Sequence, residues 1–364
     1  MALIVHPDID SLVPYVPGKP IEELQRELGL SRIVKLASNE NPLGPSPKAV
    51  AAIGPVTGSL HRYPDGGAFR LRTALAERWK VTPDQVLLGN GSDEILGLLA
   101  RTFLSPADEA VMASETFVIY KMEVTAAHGK SVTVPMKNGR HDLSAMADAI
   151  TPRTRLLFIC NPNNPTGTMV TETEVRALMQ RVPEQVVVVF DEAYYEYADA
   201  ADYADSLAYV KQGRHAIVLR TFSKIYGLAG LRIGYGLTTP EIASYLNRLR
   251  PPFNANSVAQ EAAIAALGDE THVTRSRSLN REQMAVVRQG LEALGLTPLP
   301  SQANFLYFDA GRDGRELFQA LLREGVIVRH IEGSMVRVTI GLPEENQMFL
   351  AALRNVLERE PIQS

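Results

Sequence analysis

Between residues 85 and 240, short apolar runs alternate with stretches whose apolar residues recur every three to four positions. The runs predict strands at 85–88, 109–113, 131–135, 155–160, 186–190, 216–219 and 232–237. Several are apolar throughout instead of alternating, as strands covered on both faces are. The periodic stretches between them, including 94–103, 143–150 and 172–181, predict helices. Alternation of this kind predicts an α/β architecture, a large domain with a mostly parallel seven-stranded sheet between helices, whose ligands sit at the carboxyl ends of the strands.

After Pro251-Pro252 the rhythm changes. Helical stretches at 257–267 and 270–294 lead into strand-like 304–308, 326–329 and 336–340, and a helix over 344–358 closes the chain. This predicts a smaller α+β C-terminal domain over 249–364, with the large domain over 46–248. Residues 1–45 carry many prolines and predict an arm with one helix near 21–28, contributing to the smaller domain.

The length of 364 residues fits two domains, and 45% hydrophobic with 21% charged residues is the balance of a globular protein. A formal charge of -4 with no block of like charge argues against nucleic acid or an anionic membrane as partner. The single cysteine, Cys160, excludes an intrachain disulfide framework and fits a reducing compartment. No basic run precedes a long apolar stretch near Met1 and no apolar run is long enough for a bilayer, so the expected location is the cytoplasm.

The chemistry-bearing residues fall just after strand ends. Lys224, in Thr221-Phe222-Ser223-Lys224, follows a buried run and precedes Arg232. Burial lowers a lysine's pKa and makes it a nucleophile toward carbonyls. Leu88-Gly89-Asn90-Gly91-Ser92-Asp93-Glu94 opens a helix and offers glycines and free N–H groups to a phosphate, or serves only as a capped turn. It is neither the dinucleotide fingerprint nor a P-loop. Asp191 ends an apolar run and needs a cationic or N–H partner; cofactor acid, metal ligand and helix cap are all open to it. The seven histidines lack the spacing of helical ligand pairs, so no metal is expected. Jointly, a lysine, an acid, ring-oxygen donors in Asn164 and Tyr194, and a phosphate seat are what pyridoxal 5'-phosphate requires.

The motifs Asn161-Pro162-Asn163-Asn164-Pro165-Thr166-Gly167, Asp191-Glu192-Ala193-Tyr194 and Ser223-Lys224, with Arg232 following, resemble the fold-type I pyridoxal-phosphate aminotransferases. Within that group the chain is similar to the histidinol-phosphate aminotransferase family. That similarity rests on Leu12-Val13-Pro14-Tyr15, Leu36-Ala37-Ser38-Asn39-Glu40-Asn41-Pro42, Arg62-Tyr63-Pro64-Asp65, Val328-Arg329 and Val336-Arg337-Val338-Thr339-Ile340-Gly341. The resemblance implies that Lys224 carries the aldehyde cofactor as a Schiff base and Asp191 keeps its pyridine nitrogen protonated. It further implies that Phe117 stacks on the ring and that Asn164 and Tyr194 bond the ring oxygen. Gly91, Ser92, Asp93, Thr221, Ser223 and Arg232 would hold the phosphate, with Tyr63 arriving from the second subunit of a homodimer. Arg337 would clamp a substrate carboxylate, and Tyr15, Arg329 and Asn39 would line the substrate side. One departure is Glu115, where relatives often carry proline.

The implied reaction passes an amino group from histidinol phosphate to 2-oxoglutarate in two half-reactions, within histidine biosynthesis. An aromatic amino-acid aminotransferase, a decarboxylase of phosphorylated amino acids, and a non-enzymatic regulator are the other readings.

Overall fold

The computed structural model describes Leu3 and residues 5–15 and 17–359. Its strands are β1 (Val34–Lys35), β2 (Val86–Gly89), β3 (Glu109–Ala113), β4 (Lys130–Val134), β5 (Thr154–Cys160), β6 (Val187–Asp191), β7 (Ala216–Thr221), β8 (Gly234–Thr238), β9 (Phe305–Asp309), β10 (Val326–Ile327), β11 (Arg329–His330) and β12 (Met335–Thr339). Seven of them form one sheet in the order β2-β8-β7-β6-β5-β3-β4. Strands β7, β6, β5, β3 and β4 pair in parallel, and only β8 runs against its neighbours.

The unbroken apolar runs follow from this sheet being covered on both faces. Val188, Phe190, Leu157, Ile159 and Val218 point into one core, while their chain neighbours Val187, Val189, Leu156, Phe158, Ile217 and Leu219 point into another. Side chains alternate across a strand, so a strand buried on both sides must be apolar at every position. Helices cover the faces and carry their own stop and start signals. Thr171 and Glu174 form a capping box at helix Glu172–Met179, and Ser46 caps helix Pro47–Ile53 with proline at its first position.

A separate core lies under the three-stranded antiparallel sheet β11-β12-β9. It gathers Leu306, Phe308, Leu317, Leu321, Phe349 and Leu353. β1 pairs in parallel with β10, Val34 opposite Val326, which ties the N-terminal segment to the C-terminal part of the chain. Helix Ser257–Leu267 buries Ala259, Ala262, Ala263 and Ala266 in the first core, although its sequence lies beyond the proline pair. The long helix Glu270–Ala293 joins both cores, with Val273 in one and Val287 and Leu291 in the other. Packing thus divides within that helix and not at Pro251-Pro252.

Three expectations need correction. Strand β8 begins at Gly234, and Arg232 lies outside it with a left-handed backbone (φ 55). The run at 326–329 splits into β10 and β11, which pair with different partners. The helix after Gly91 begins at Ser92, two residues earlier than its apolar spacing suggested. No helix among the described residues is long and apolar enough to cross a membrane.

The turn after Lys224 closes through a hydrogen bond from Gly227 N–H to the Lys224 carbonyl at 3.0 Å. Gly227 has φ +69, and a Cβ there would sit 2.1 Å from the Gly44 carbonyl oxygen. Gly227→Ala should therefore cost about 2–4 kcal/mol of stability, measured by urea denaturation, and a variant as stable as the parent would contradict this packing.

Candidate active site

Lys224 lies just past the end of β7 at Thr221, on the carboxyl side of that strand. Nζ donates to the Ser38 carbonyl at 3.2 Å and lies 5.8 Å from the centre of the Tyr194 ring. The residue keeps some exposed surface, but protein surrounds the amine. That burial, with the Arg337 guanidinium beside it, pushes the amine down from 10.5 to about 8. Desolvation penalises the ammonium form, and a neighbouring positive charge adds to the penalty.

Asp191 ends β6 and is buried. Its Oδ2 accepts the Tyr120 phenol at 2.6 Å and its Oδ1 accepts the Ala193 N–H at 3.2 Å. Burial pushes the carboxyl up to about 6, against the lowering effect of the phenol. Near neutrality the group is mostly a carboxylate, held by hydrogen bonds in a place that favours a cation next to it. Tyr120 is itself fixed by stacking on Phe158 at 4.7 Å and by an edge-to-face contact with Phe117 at 5.7 Å. Phe117, Tyr120 and Asp191 thus form one continuous wall.

The asparagines of the 161–167 turn divide their work. Asn161 Oδ1 accepts the Val170 N–H at 3.0 Å, and Asn163 bonds the Glu115 carbonyl and the His141 ring, so both shape the turn. Burial pushes His141 down to about 4, so its neutral ring donates to Asn163. Asn164 instead presents its amide oxygen to Arg337 Nη1. Arg337 is buried, its Nη2 donates to the Ala37 carbonyl at 2.7 Å, and its Nε has no hydrogen-bond partner among the described residues. Tyr194 accepts the Asn39 amide at 2.8 Å, and Asn39 in turn accepts the Thr339 hydroxyl at 3.0 Å. A buried cation with an unused N–H, close to an amine of lowered pKa, is a receptor for an anion.

At the start of helix Ser92–Phe103, Gly91 has φ 78, and a Cβ there would meet Arg232 Nη2 at 2.5 Å. The positive φ favours glycine, and the missing Cβ lets the guanidinium lie beside the start of the helix. Arg232 Nη1 lies 3.5 Å from Ser223 Oγ, and Nη2 lies 3.5 Å from Asp93 Oδ2. The Thr221 hydroxyl accepts the Ser223 N–H at 3.0 Å, and Ser92 is buried at the same helix end. The structure brings all six residues of the expected phosphate seat together.

The outlying residues are placed differently. Arg329 stands opposite Arg337 across β11 and β12, with its guanidinium 5.3 Å from the ring centre of Tyr15. Tyr63 is 82% exposed and stacks on Phe253 at 4.7 Å, a side chain presented outward from this chain. Two groups were not found by sequence reasoning. Tyr120 reads as an ordinary core position of a helix, and only its spacing of three from Phe117 hinted at the pocket. The backbone of residues 37 and 38 supplies carbonyls to Arg337 and Lys224, which no side-chain pattern reveals.

The sequence profile of Aminotransferase class I and II matches residues 31–353, and the chain belongs to that family of enzymes. It is 53% identical over 352 residues to the histidinol-phosphate aminotransferase of Moorella thermoacetica, covering 95% of this chain and 91% of that protein. A second histidinol-phosphate aminotransferase, from an Anaeromyxobacter species, is 50% identical over 361 residues, covering 97% of this chain and 99% of the relative. Among solved structures, the histidinol-phosphate aminotransferase of Sinorhizobium meliloti, in complex with pyridoxal-5'-phosphate, superposes with a TM-score of 0.90 at 30% identity, covering 98% of both chains.

Labelling of the amine at position 224 in ligand-stripped protein, followed by mass spectrometry across pH, should rise with a midpoint near 8. Arg337→Gln removes a neighbouring positive charge and should move that midpoint upward. A parent midpoint near the ordinary 10.5 would mean that the amine is solvated.

Proposed function

We propose that this chain holds pyridoxal 5'-phosphate on Lys224 and transfers an amino group from histidinol phosphate to 2-oxoglutarate, giving imidazole-acetol phosphate and glutamate. One observation carries the reading: an enclosed amine lowered to about 8 shares a pocket with a buried arginine. The two relatives at 53% and 50% identity, both histidinol-phosphate aminotransferases, support the choice of substrate.

The residues present fit the cofactor. Gly91 leaves room that a Cβ would fill beside Arg232, which suits a phosphate among Gly91, Ser92, Asp93, Thr221, Ser223 and Arg232. Asp191, kept anionic near neutrality by the Tyr120 and Ala193 hydrogen bonds, would face the pyridine nitrogen. Phe117 would cover one ring face, and Asn164 and Tyr194 would meet the ring oxygen. When bound, pyridoxal phosphate supplies an aldehyde that condenses with amines and a cationic ring that draws off electrons released at the substrate Cα. Lys224 would hold the group, and its Nζ, once free, would serve as the base that takes the Cα proton and as the acid that returns it. A pKa near 8 leaves part of that amine unprotonated at neutral pH, as a base requires. Arg337, with its Nε unused, would take the α-carboxylate of glutamate. Histidinol phosphate lacks that carboxylate, and its phosphate ester would be met by Arg329, Tyr15 and Asn39 on the same side.

The outward Tyr63 supports a symmetric homodimer in which each subunit completes its neighbour's phosphate seat. The division into a cofactor-binding unit and a smaller C-terminal unit belongs to the same proposal. Its boundary moves from residue 249 into helix Glu270–Ala293, where the cores separate. A free buried Cys160 supports the cytoplasm as location.

Lys224→Ala should lower turnover of histidinol phosphate by more than about 1,000-fold and abolish the visible absorption of the bound cofactor. Phenylalanine at equal concentration should turn over far more slowly than histidinol phosphate; equal rates would favour the aromatic reading. Mixing inactive Lys224→Ala with weakened Tyr63→Ala should restore part of the activity in hybrid dimers, each carrying one intact site. Sedimentation as an active monomer would end the shared-site proposal.

A further inference from the structure

Outside this pocket, three side chains from distant parts of the sequence meet on the surface. His6 precedes the short helix Pro7–Asp10, Asp8 lies in its first turn, and His128 follows helix Ile119–Ala126 with φ +63. Asp8 Oδ2 lies 3.5 Å from His6 Nδ1 and 3.0 Å from His128 Nδ1, and the two imidazole rings stand 3.8 Å apart, centre to centre. Among the described residues this is the one group of three or more metal-capable side chains whose ligand atoms all lie within 4.8 Å of one another.

We propose that His6, Asp8 and His128 bind a divalent transition-metal ion of the zinc type, which fastens the N-terminal arm to the end of helix Ile119–Ala126. Zinc bonds of about 2.0–2.2 Å to nitrogen and oxygen place tetrahedral ligand atoms about 3.3–3.6 Å apart. Of the two distances at Asp8, 3.5 Å falls within that range and 3.0 Å lies just below it. Two imidazoles and one carboxylate suit zinc, cobalt or nickel, whereas magnesium and calcium prefer oxygen alone. Water would complete the fourth position, because the three side chains keep 53%, 45% and 33% of their surface.

The exchange on binding is small. His6 Nδ1 accepts the Asp8 N–H at a long 3.3 Å, a weak bond that the ion would displace, and lies 3.5 Å from Asp8 Oδ2. The ion takes the lone pair of that nitrogen and replaces the proton between His128 Nδ1 and Asp8 Oδ2. What changes is the arm, whose helix packs against helix Ile119–Ala126 and whose Tyr15, further along, lies over Arg329. That helix also carries Tyr120, the partner of Asp191. The ion is a fastener for the substrate-side arm and takes no part in the chemistry. The spacing of 120 residues between Asp8 and His128 hides the group from any local motif.

The test is calorimetric titration of the intact holoenzyme with Zn2+ in a non-coordinating buffer, with limited proteolysis of the arm followed in parallel. One ion per chain should bind. His6→Ala and His128→Asn should each weaken it by at least about tenfold. Asparagine tolerates the left-handed backbone at 128, and both variants should keep metal-free turnover, which shows that they are folded. Zn2+ should slow cleavage within residues 5–15 of the parent and not of the variants. Absence of one-to-one binding, or equal binding by both variants, overturns the site. Binding without protection of the arm overturns the fastening.

Discussion

Desolvation at the carboxyl edge of a doubly covered sheet is the constraint on which the site depends. With helices on both faces, a charged group that reaches the ends of β6 and β7 leaves bulk water and must be held by a few fixed dipoles. Lys224 responds by losing affinity for its proton and Asp191 by gaining it, each moved by burial more than by any single neighbour. The two shifts run toward each other, to about 8 and about 6. An amine so adjusted can give up and take back a proton near neutrality, which a solvated lysine does poorly, while Asp191 stays mostly ionised.

The layer beneath is built to keep these groups still. One oxygen of Glu192, next to Asp191, accepts from both Nη2 and Nε of Arg220 at 2.7 and 3.0 Å, and both residues are buried. The guanidinium of Arg220 lies 3.9 Å from the ring centre of Trp79 and 3.5 Å from that of Tyr195, two rings that meet edge to face. A buried ion pair adds little net stability over an apolar replacement, yet it tolerates only one geometry. Here it sits across β6 and β7, one residue from Asp191 on one strand and four from Lys224 on the other. The chain devotes a strongly polar, fully packed cluster to the strands that carry its reactive groups.

Much of this was legible in the residues. The strands of the large sheet and the helix Ser257–Leu267 follow from apolar periodicity because two-sided burial leaves an unmistakable trace. Direction does not, since a strand reads alike both ways, and the reversal of β8 appears only in its pairing. The motif residues near Lys224, Asp191 and Asn164 stood out because each follows a strand end. Tyr120 did not, because its phenol serves a partner 71 positions away while its ring looks like core. The split of 326–329 into β10 and β11 was hidden for a different reason: its two halves answer to different partners, Val326 to Val34 far back in the sequence and Arg329 to nearby Arg337.

The short stretch around Ser38 touches nearly every functional group. Leu36 bonds across to Ile327 and Thr339, Ala37 to Arg337, Ser38 to Lys224, and Asn39 to Tyr194. Some of these contacts span 300 positions, so loops of that length must close before the stretch is held. During synthesis this segment leaves the ribosome early, and its last partners, Ile327, Arg337 and Thr339, emerge only when almost the whole polypeptide has followed it. A truncated translation product, even one containing the entire large sheet, would therefore expose the lysine without assembling a competent pocket around it.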